Sequence, residues 1–275
     1  MNVNYLQDYL EALRQSLLKI DVGESTINAP ESPNTDPRGF GIALITVNGH
    51  VYQVGDSQLP FAIQSIAKAI TYGIALEDND AETVLCKVGV EPISEPFEPS
   101  SGRPCNPITN AGAIATAALI KGATKEARLD RLFKSYGRYL GHPVTSDEDV
   151  YCTEKSNGRA DQALASQLHD SNIIDIESDE ALELYYKQSS ILVNCYDLAL
   201  IGATLANNGI NPITGECALE SHCVPKVLSV ISSCGMNDLS GEWIFKVGMP
   251  AISCVSGGLL AILPGQFGLA VFSPQ

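Results

Sequence analysis

Asn48-Gly49 lies between two β-rich runs, residues 40–47 and 51–55, and it limits the fold more than any other feature of the chain. Asn-Gly accepts the left-handed backbone of a tight turn, so the two runs predict an antiparallel hairpin. β-rich runs return only near the other end, at residues 243–247, 258–263 and 269–272, with Gly and Pro turns between them. The middle is helical in pattern. Small or amphipathic stretches predict a helix after residue 65 and others over 110–121, 125–140, 159–169, 178–188, 197–207 and 225–232. Asn208-Gly209 stops the helix before it. Leu6, Leu10, Leu13, Leu17 and Ile20 predict an N-terminal amphipathic helix over residues 4–20. Residues 21–39, with Gly23, Pro30, Pro33 and Pro37, read as a long loop, and residues 79–107 as mostly loop. With hairpins and no βαβ alternation, the sheet should be antiparallel. The prediction is one α+β domain over residues 1–275. Its sheet, of about five strands, draws on both ends of the chain, about residues 1–60 and 240–275, and its helical part on about 65–235.

Ser65 and Lys68 open the helix that follows the hairpin. Ser-x-x-Lys there puts a hydroxyl and an amine one turn apart on one face. A partly desolvated amine takes the hydroxyl proton and makes the serine a nucleophile, as in penicillin-recognising enzymes and their relatives. The motif alone is weak, because Ser16-Leu17-Leu18-Lys19 matches it on the N-terminal helix. Context separates the two. Phe61 and Ile63 make a strand-like approach to Ser65, and Ala67, Ala69, Gly73 and Ala75 give the next helix a surface made for tight burial. A polar pair at the start of such a helix needs a chemical reason.

A net charge of −15 with no basic cluster argues against nucleic acid or an anionic membrane as partner. Asp8, Glu11, Arg14 and Lys19 interrupt the N-terminus, so no signal peptide is expected, and no run is long enough to span a bilayer. The 8 cysteines form no CxxC pair, which predicts reduced thiols in the cytoplasm rather than disulfides or a zinc site. Phosphate loops, Rossmann glycines and metal-ligand spacings are all missing, so no cofactor is expected.

Further blocks carry a family resemblance. Gln64-Ser65-Ile66-Ala67-Lys68 is followed by Asn106-Pro107-Ile108-Thr109-Asn110-Ala111-Gly112 and by Tyr151-Cys152-Thr153-Glu154. Tyr185-Tyr186-Lys187-Gln188-Ser189-Ser190, Cys234-Gly235-Met236, Val247-Gly248-Met249-Pro250-Ala251 and Phe272-Ser273-Pro274 come later in the same order. Together they resemble the serine-dependent glutaminases. The resemblance implies a serine β-lactamase/penicillin-binding-protein-like fold and hydrolysis of the side-chain amide of L-glutamine. It also implies a small amino-acid substrate and a homodimer or homotetramer. By the same resemblance Ser65 is the nucleophile and Lys68 its base, while Gln64, Asn110, Glu154, Asp161, Tyr185 and Asn237 stand at substrate-binding or pocket positions. Val255 matches the residue whose amide, with that of the serine, faces the substrate oxygen. The chemistry fits, since a carboxylate pairs with an α-ammonium and two amides stabilise an oxyanion. Each residue also has a plainer place: Tyr185 in a core, Asn110 or Glu154 as a helix cap, Asp161 in a first helical turn.

The chain departs from the family pattern at several positions. Asn237 stands where the family has a tyrosine that takes part in proton transfer, and Ile252 and Cys254 stand for a lysine and a glycine. Ser256 replaces a glycine, Asp161 a substrate-binding amide, and Asn28 aligns with a pocket tyrosine. An asparagine is no general acid near neutral pH. Asn237, Ile252 and Asp161 are expected to cluster in the pocket. Three readings therefore stay open: a glutaminase, an acyl-transfer enzyme of the same scaffold for another glutamine-like amino acid, and a non-catalytic relative.

Overall fold

The computed structural model describes residues 5–20, 39–93 and 96–274. The predicted hairpin is present: β1 (Gly41–Thr46) and β2 (Val51–Gly55) pair antiparallel, with Leu44 opposite Tyr52. Three strands from the other end complete an antiparallel sheet, β5 (Ala251–Ser253), β6 (Gly258–Leu263) and β7 (Phe267–Phe272), in the order β2-β1-β7-β6-β5. A separate short pair, β3 (Phe61–Ala62) and β4 (Leu192–Val193), leads the chain into Ser65. Alternation sorts the residues of the sheet between two cores. Ile42, Leu44 and Val54 meet Leu10 of helix α1 (Tyr5–Leu17) on one face. Ala43, Ile45, Leu260, Ile262 and Phe272 join the main core on the other.

The remaining helices are α2 (Ile66–Asp78), α3 (Ala81–Lys87), α4 (Asn110–Ala118), α5 (Lys125–Leu140) and α6 (Glu148–Asn157), then α7 (Arg159–Asp170), α8 (Ser178–Ser189), α9 (Cys195–Ala206), α10 (Val224–Cys234) and α11 (Ser240–Val247). The α+β architecture matches the expected serine β-lactamase-like arrangement. Two local expectations fail, over residues 243–247 and at Ile20, and two helices, α3 and α6, were not expected. Residues 243–247 are helical in α11, where Glu242 pairs with Lys246 one turn on and Gly248 ends the helix at φ +76; the strand falls at β5 instead. Residues 79–107 are mostly loop as expected, apart from α3, which Asp80 caps by accepting from Thr83 N at 2.8 Å. Helix α6, capped by Asp147, carries the block around Glu154 and was not expected. Ile20, placed on the buried face of the first helix, is exposed beyond its end. Of the loop expected at residues 21–39, residues 21–38, with Asn28, lie outside the described residues.

Helix α9 lies directly on the sheet through glycines. A Cβ on Gly268 of β7 would stand 2.3 Å from Ala203 N and 2.4 Å from Ala199 O. Backbone there has no room to yield without lifting the helix. Gly268→Ala is therefore expected to destabilise the fold by about 2–4 kcal/mol in urea unfolding. Gly241→Ala, where a Cβ meets nothing within 4 Å, should leave the midpoint unchanged or raise it.

Candidate active site

Strand β3 delivers the chain to Gln64, whose backbone takes a left-handed φ of +45°, and the next residue, Ser65, begins α2. That sharp entry places Ser65 at the rim of a cavity of about 440 Å³ lined also by Lys68, Asn110, Asn237, Phe97 and Leu164. Helix α2 is buried from Ile66 to Leu76, as its small residues predict, and Lys68 is only 7% exposed. The Lys68 ammonium donates to Ile108 O at 2.9 Å and to Asn110 Oδ1 at 2.8 Å. Burial holds its pKa down to about 8, against the raising effect of Asp161 and then Glu154. An amine so placed gives up its proton far more readily than a surface lysine.

The turn carrying Ile108 and Asn110 is built by Asn106, which sequence reasoning quoted in a motif but did not single out. Its Oδ1 accepts from Ile108 N and Thr109 N, and its Nδ2 donates to the carbonyls of Glu91 and Ile93. A buried asparagine before a proline is a turn signal, and it was legible as one. Gly112 must follow, since a Cβ there would lie 1.9 Å from Asn106 O.

Acidic groups approach from two more helices. Asn110 Nδ2 donates to Asp161 Oδ1 at 3.1 Å, so one amide links the lysine to a carboxylate of α7. Glu154 on α6 is pushed up to about 7, by burial and by Asp161, with Lys68 opposing. Asp161 is raised as well, chiefly by burial, while Asn110 and Lys68 pull it down. Tyr186 lies close enough to lower Asp161 slightly, yet its buried hydroxyl makes no hydrogen bond of ordinary geometry. Burial, Asp161 and Glu154 hold the Tyr185 phenol well above its usual range, so it stays a donor.

Of the nine residues singled out from the sequence, Ser65, Lys68, Asn110 and Asn237 line the cavity. Asp161 adjoins it through Asn110, and Glu154 and Tyr185 lie within charge range of Asp161. Gln64 is buried behind Ser65 and does not line the cavity. Val255 is 61% exposed on the turn between β5 and β6. Among the described residues, neither the Ser65 amide nor the Val255 amide has a hydrogen-bond partner. The departures do not all gather in the pocket. Ile252 is fully buried in β5 opposite Leu260, because its side chain falls on the core face of the sheet.

The sequence profile of the family described as Glutaminase matches residues 23–275. A glutaminase of Trichormus variabilis is 49% identical over 250 residues, spanning 89% of this chain and 75% of that protein. A glutaminase of Microcystis aeruginosa is 43% identical over 273 residues, spanning 98% of this chain and 81% of that protein. Among solved structures, Mglu in its native form superposes with a TM-score of 0.94 at 37% identity, over 99% of this chain and 68% of that one. The probable glutaminase ybaS superposes at 0.93 and 34% identity, over 100% of this chain and 91% of that one. The collinear motifs, the α+β architecture and these likenesses agree: the chain belongs to the glutaminase family.

Proposed function

We propose that this protein hydrolyses the side-chain amide of L-glutamine to L-glutamate and ammonia through an acyl-enzyme on Ser65. The observation that carries the reading is Lys68, a buried amine of lowered proton affinity, one helical turn after Ser65 in a shared cavity. Neutral Lys68 takes the Ser65 proton as Oγ attacks the amide carbon. The resulting oxyanion meets the unpartnered amides of Ser65 and Val255. Collapse breaks the C–N bond, and the proton on Lys68 goes to the departing nitrogen. Asn237 has no proton to lend at that step, so the lysine serves both as base and as acid. Water then attacks the ester with Lys68 again as base, the C–Oγ bond breaks, Lys68 returns the proton to Ser65 Oγ, and glutamate leaves. Glu154 and Tyr185 bind the amino-acid end of the substrate. Mglu has been solved in a glutamate form, which suits such a product. The 8 cysteines are all unpaired, which suits a reducing, cytoplasmic setting, and the family resemblance favours a homo-oligomer.

The test is partition of the acyl-enzyme. With millimolar L-glutamine, ammonia and glutamate should appear in equal amounts. Added hydroxylamine should divert the acyl group to γ-glutamyl hydroxamate while ammonia release holds or rises. Ammonia release no faster than an enzyme-free blank would sink the proposal. A second reading rests on Asp161 and Asn237, which stand where the family pattern has an amide and a tyrosine: the substrate is a larger glutamine-like amino acid. Faster ammonia release from a γ-substituted amide than from glutamine would select it.

A further inference from the structure

The turn that carries Val255 is tied across the fold to the segment that carries Ser65 by two side chains, the Ser256 hydroxyl and the Gln64 amide. Ser256 Oγ donates to Ala62 O at 2.8 Å, and Ser256 N donates to Gln64 Oε1 at 2.9 Å. These bonds join positions 194 and 192 residues apart in sequence. They grip the residue just before Ser65 and the carbonyl two residues earlier. The gripped segment is one that needs holding. Gln64 is among the few non-glycine residues with a left-handed backbone, a conformation that costs about 1–2 kcal/mol and persists only where its surroundings impose it. Its own N–H is fixed to Ser189 O at 3.0 Å.

The turn is closed by its own bonds and joined to the end of β7 by Ser273 N, which donates to Gly257 O at 3.0 Å. Cys254 N donates to Gly258 O, and Gly257 N to Cys254 O. Val255, at the tip, is exposed and contributes no hydrogen bond of its own among the described residues. Cys254 Sγ lies 2.9 Å from Ser256 Oγ. With the hydroxyl proton committed to Ala62, Oγ accepts from the thiol, which burial keeps protonated by raising its pKa. The hydroxyl of Ser256 is thus oriented from both sides. Glycine, which the family pattern has at this position, offers no side chain for such a bond.

We infer that Ser256 is a positioning residue that holds the Val255 amide in register with the Ser65 amide, so that both donors meet one developing oxyanion. It touches neither substrate nor reacting atom; it acts through the two backbone donors. The inference rests on the acyl-enzyme reading above. Because the oxyanion exists only after attack on the carbonyl, looser register slows the chemical step and leaves ground-state binding alone. A lost oxyanion donor costs roughly 100- to 1,000-fold in kcat, so one held less firmly should cost about 10-fold or more.

Two assays on the full chain decide the matter. In the first, Ser256→Ala lowers kcat for ammonia release from glutamine by about 10-fold or more with KM within about twofold, and Ser256→Thr, which keeps the hydroxyl, restores most of it. In the second, a fluorophosphonate probe reports on Ser65 without using glutamine. Ser65 Oγ bonds to phosphorus, fluoride leaves, the serine proton passes to Lys68, and the phosphoryl oxygen takes the oxyanion's place. Intact-mass kinetics should show slower labelling in Ser256→Ala than in the wild type, near-normal labelling in Ser256→Thr, and none in Ser65→Ala. Wild-type rates in Ser256→Ala overturn the inference and leave the glutaminase reading standing. A parallel loss of kcat, binding and thermal midpoint that threonine does not rescue also overturns it, since that is a folding defect. A wild type that is labelled but releases no ammonia refutes the glutamine reading, while the labelling comparison still judges Ser256. A wild type that neither labels nor releases ammonia overturns both.

Discussion

Ser65→Ala and Lys68→Met should each reduce ammonia release from L-glutamine by roughly 1,000-fold or more, and neither should lower the thermal midpoint. On the proposed mechanism, the first removes the atom that attacks. The second removes the group that takes its proton, and methionine is close to lysine in length. Lys68→Arg should be as inactive as Lys68→Met, because a guanidinium does not deprotonate in this pH range. Charge alone does not rescue a base. With the lysine pKa near 8, the neutral fraction, and with it kcat, should rise roughly tenfold between pH 7 and pH 9.

Stability separates these losses from unfolding. Lys68 is depressed from 10.5 to about 8 on folding. Between those values the unfolded chain binds a proton that the folded chain does not, so stability rises with pH across that window. Below pH 8 the cost is fully present, on the order of 3 kcal/mol. Methionine removes it, while leaving Ile108 O and Asn110 Oδ1 without their donor, a loss of about 1–3 kcal/mol. The two nearly cancel at pH 7. A midpoint that fell by more than about 5 °C in Lys68→Met, in step with activity, would show that the amine serves packing and hydrogen bonding rather than catalysis.

Why Ser65 and Lys68 were legible while other parts were not has a physical explanation. The hairpin, the N-terminal helix and the helix at Lys125–Leu140 announce themselves through turn chemistry and periodicity within one short window. Ser65 and Lys68 also sit within one helical turn. Residues 243–247 misled because Trp, Ile, Phe and Val favour strands, whereas the Glu242–Lys246 pair and Gly248 determine a helix. Helices α3 and α6 are capped by Asp80 and Asp147, signals that lie beside proline- and glycine-rich sequence and were not read. Ile252 departs from the family pattern without entering the cavity, since an aligned motif does not say which face of a strand a side chain takes. Ser256 was read only as a lost glycine. Its partners, Ala62 and Gln64, are far away in sequence, and no local pattern encodes such a pairing.

Glu154→Gln is expected to raise KM for glutamine by roughly 30-fold or more and to change kcat much less, because it takes away the carboxylate proposed to face the substrate's ammonium. The wild-type enzyme should show the same dependence as a pH effect. Glu154 ionises near pH 7, so KM should fall as pH rises through 7. Asp161 on α7 and Glu154 on α6 are the charged groups that act on Lys68, and Asp161 raises both of the others. Removing its charge must then lower both. In Asp161→Asn, which restores the family's amide and keeps an acceptor for Asn110, the KM limb should move below pH 7 and the kcat limb below pH 8. KM for glutamine at pH 7 should fall as well, since Glu154 is then more fully ionised. Limbs that stayed in place while KM rose would give Asp161 the opposite role, as a second anchor for the ammonium. A substrate carrying more positive charge than glutamine would then fit this pair of carboxylates better than glutamine does.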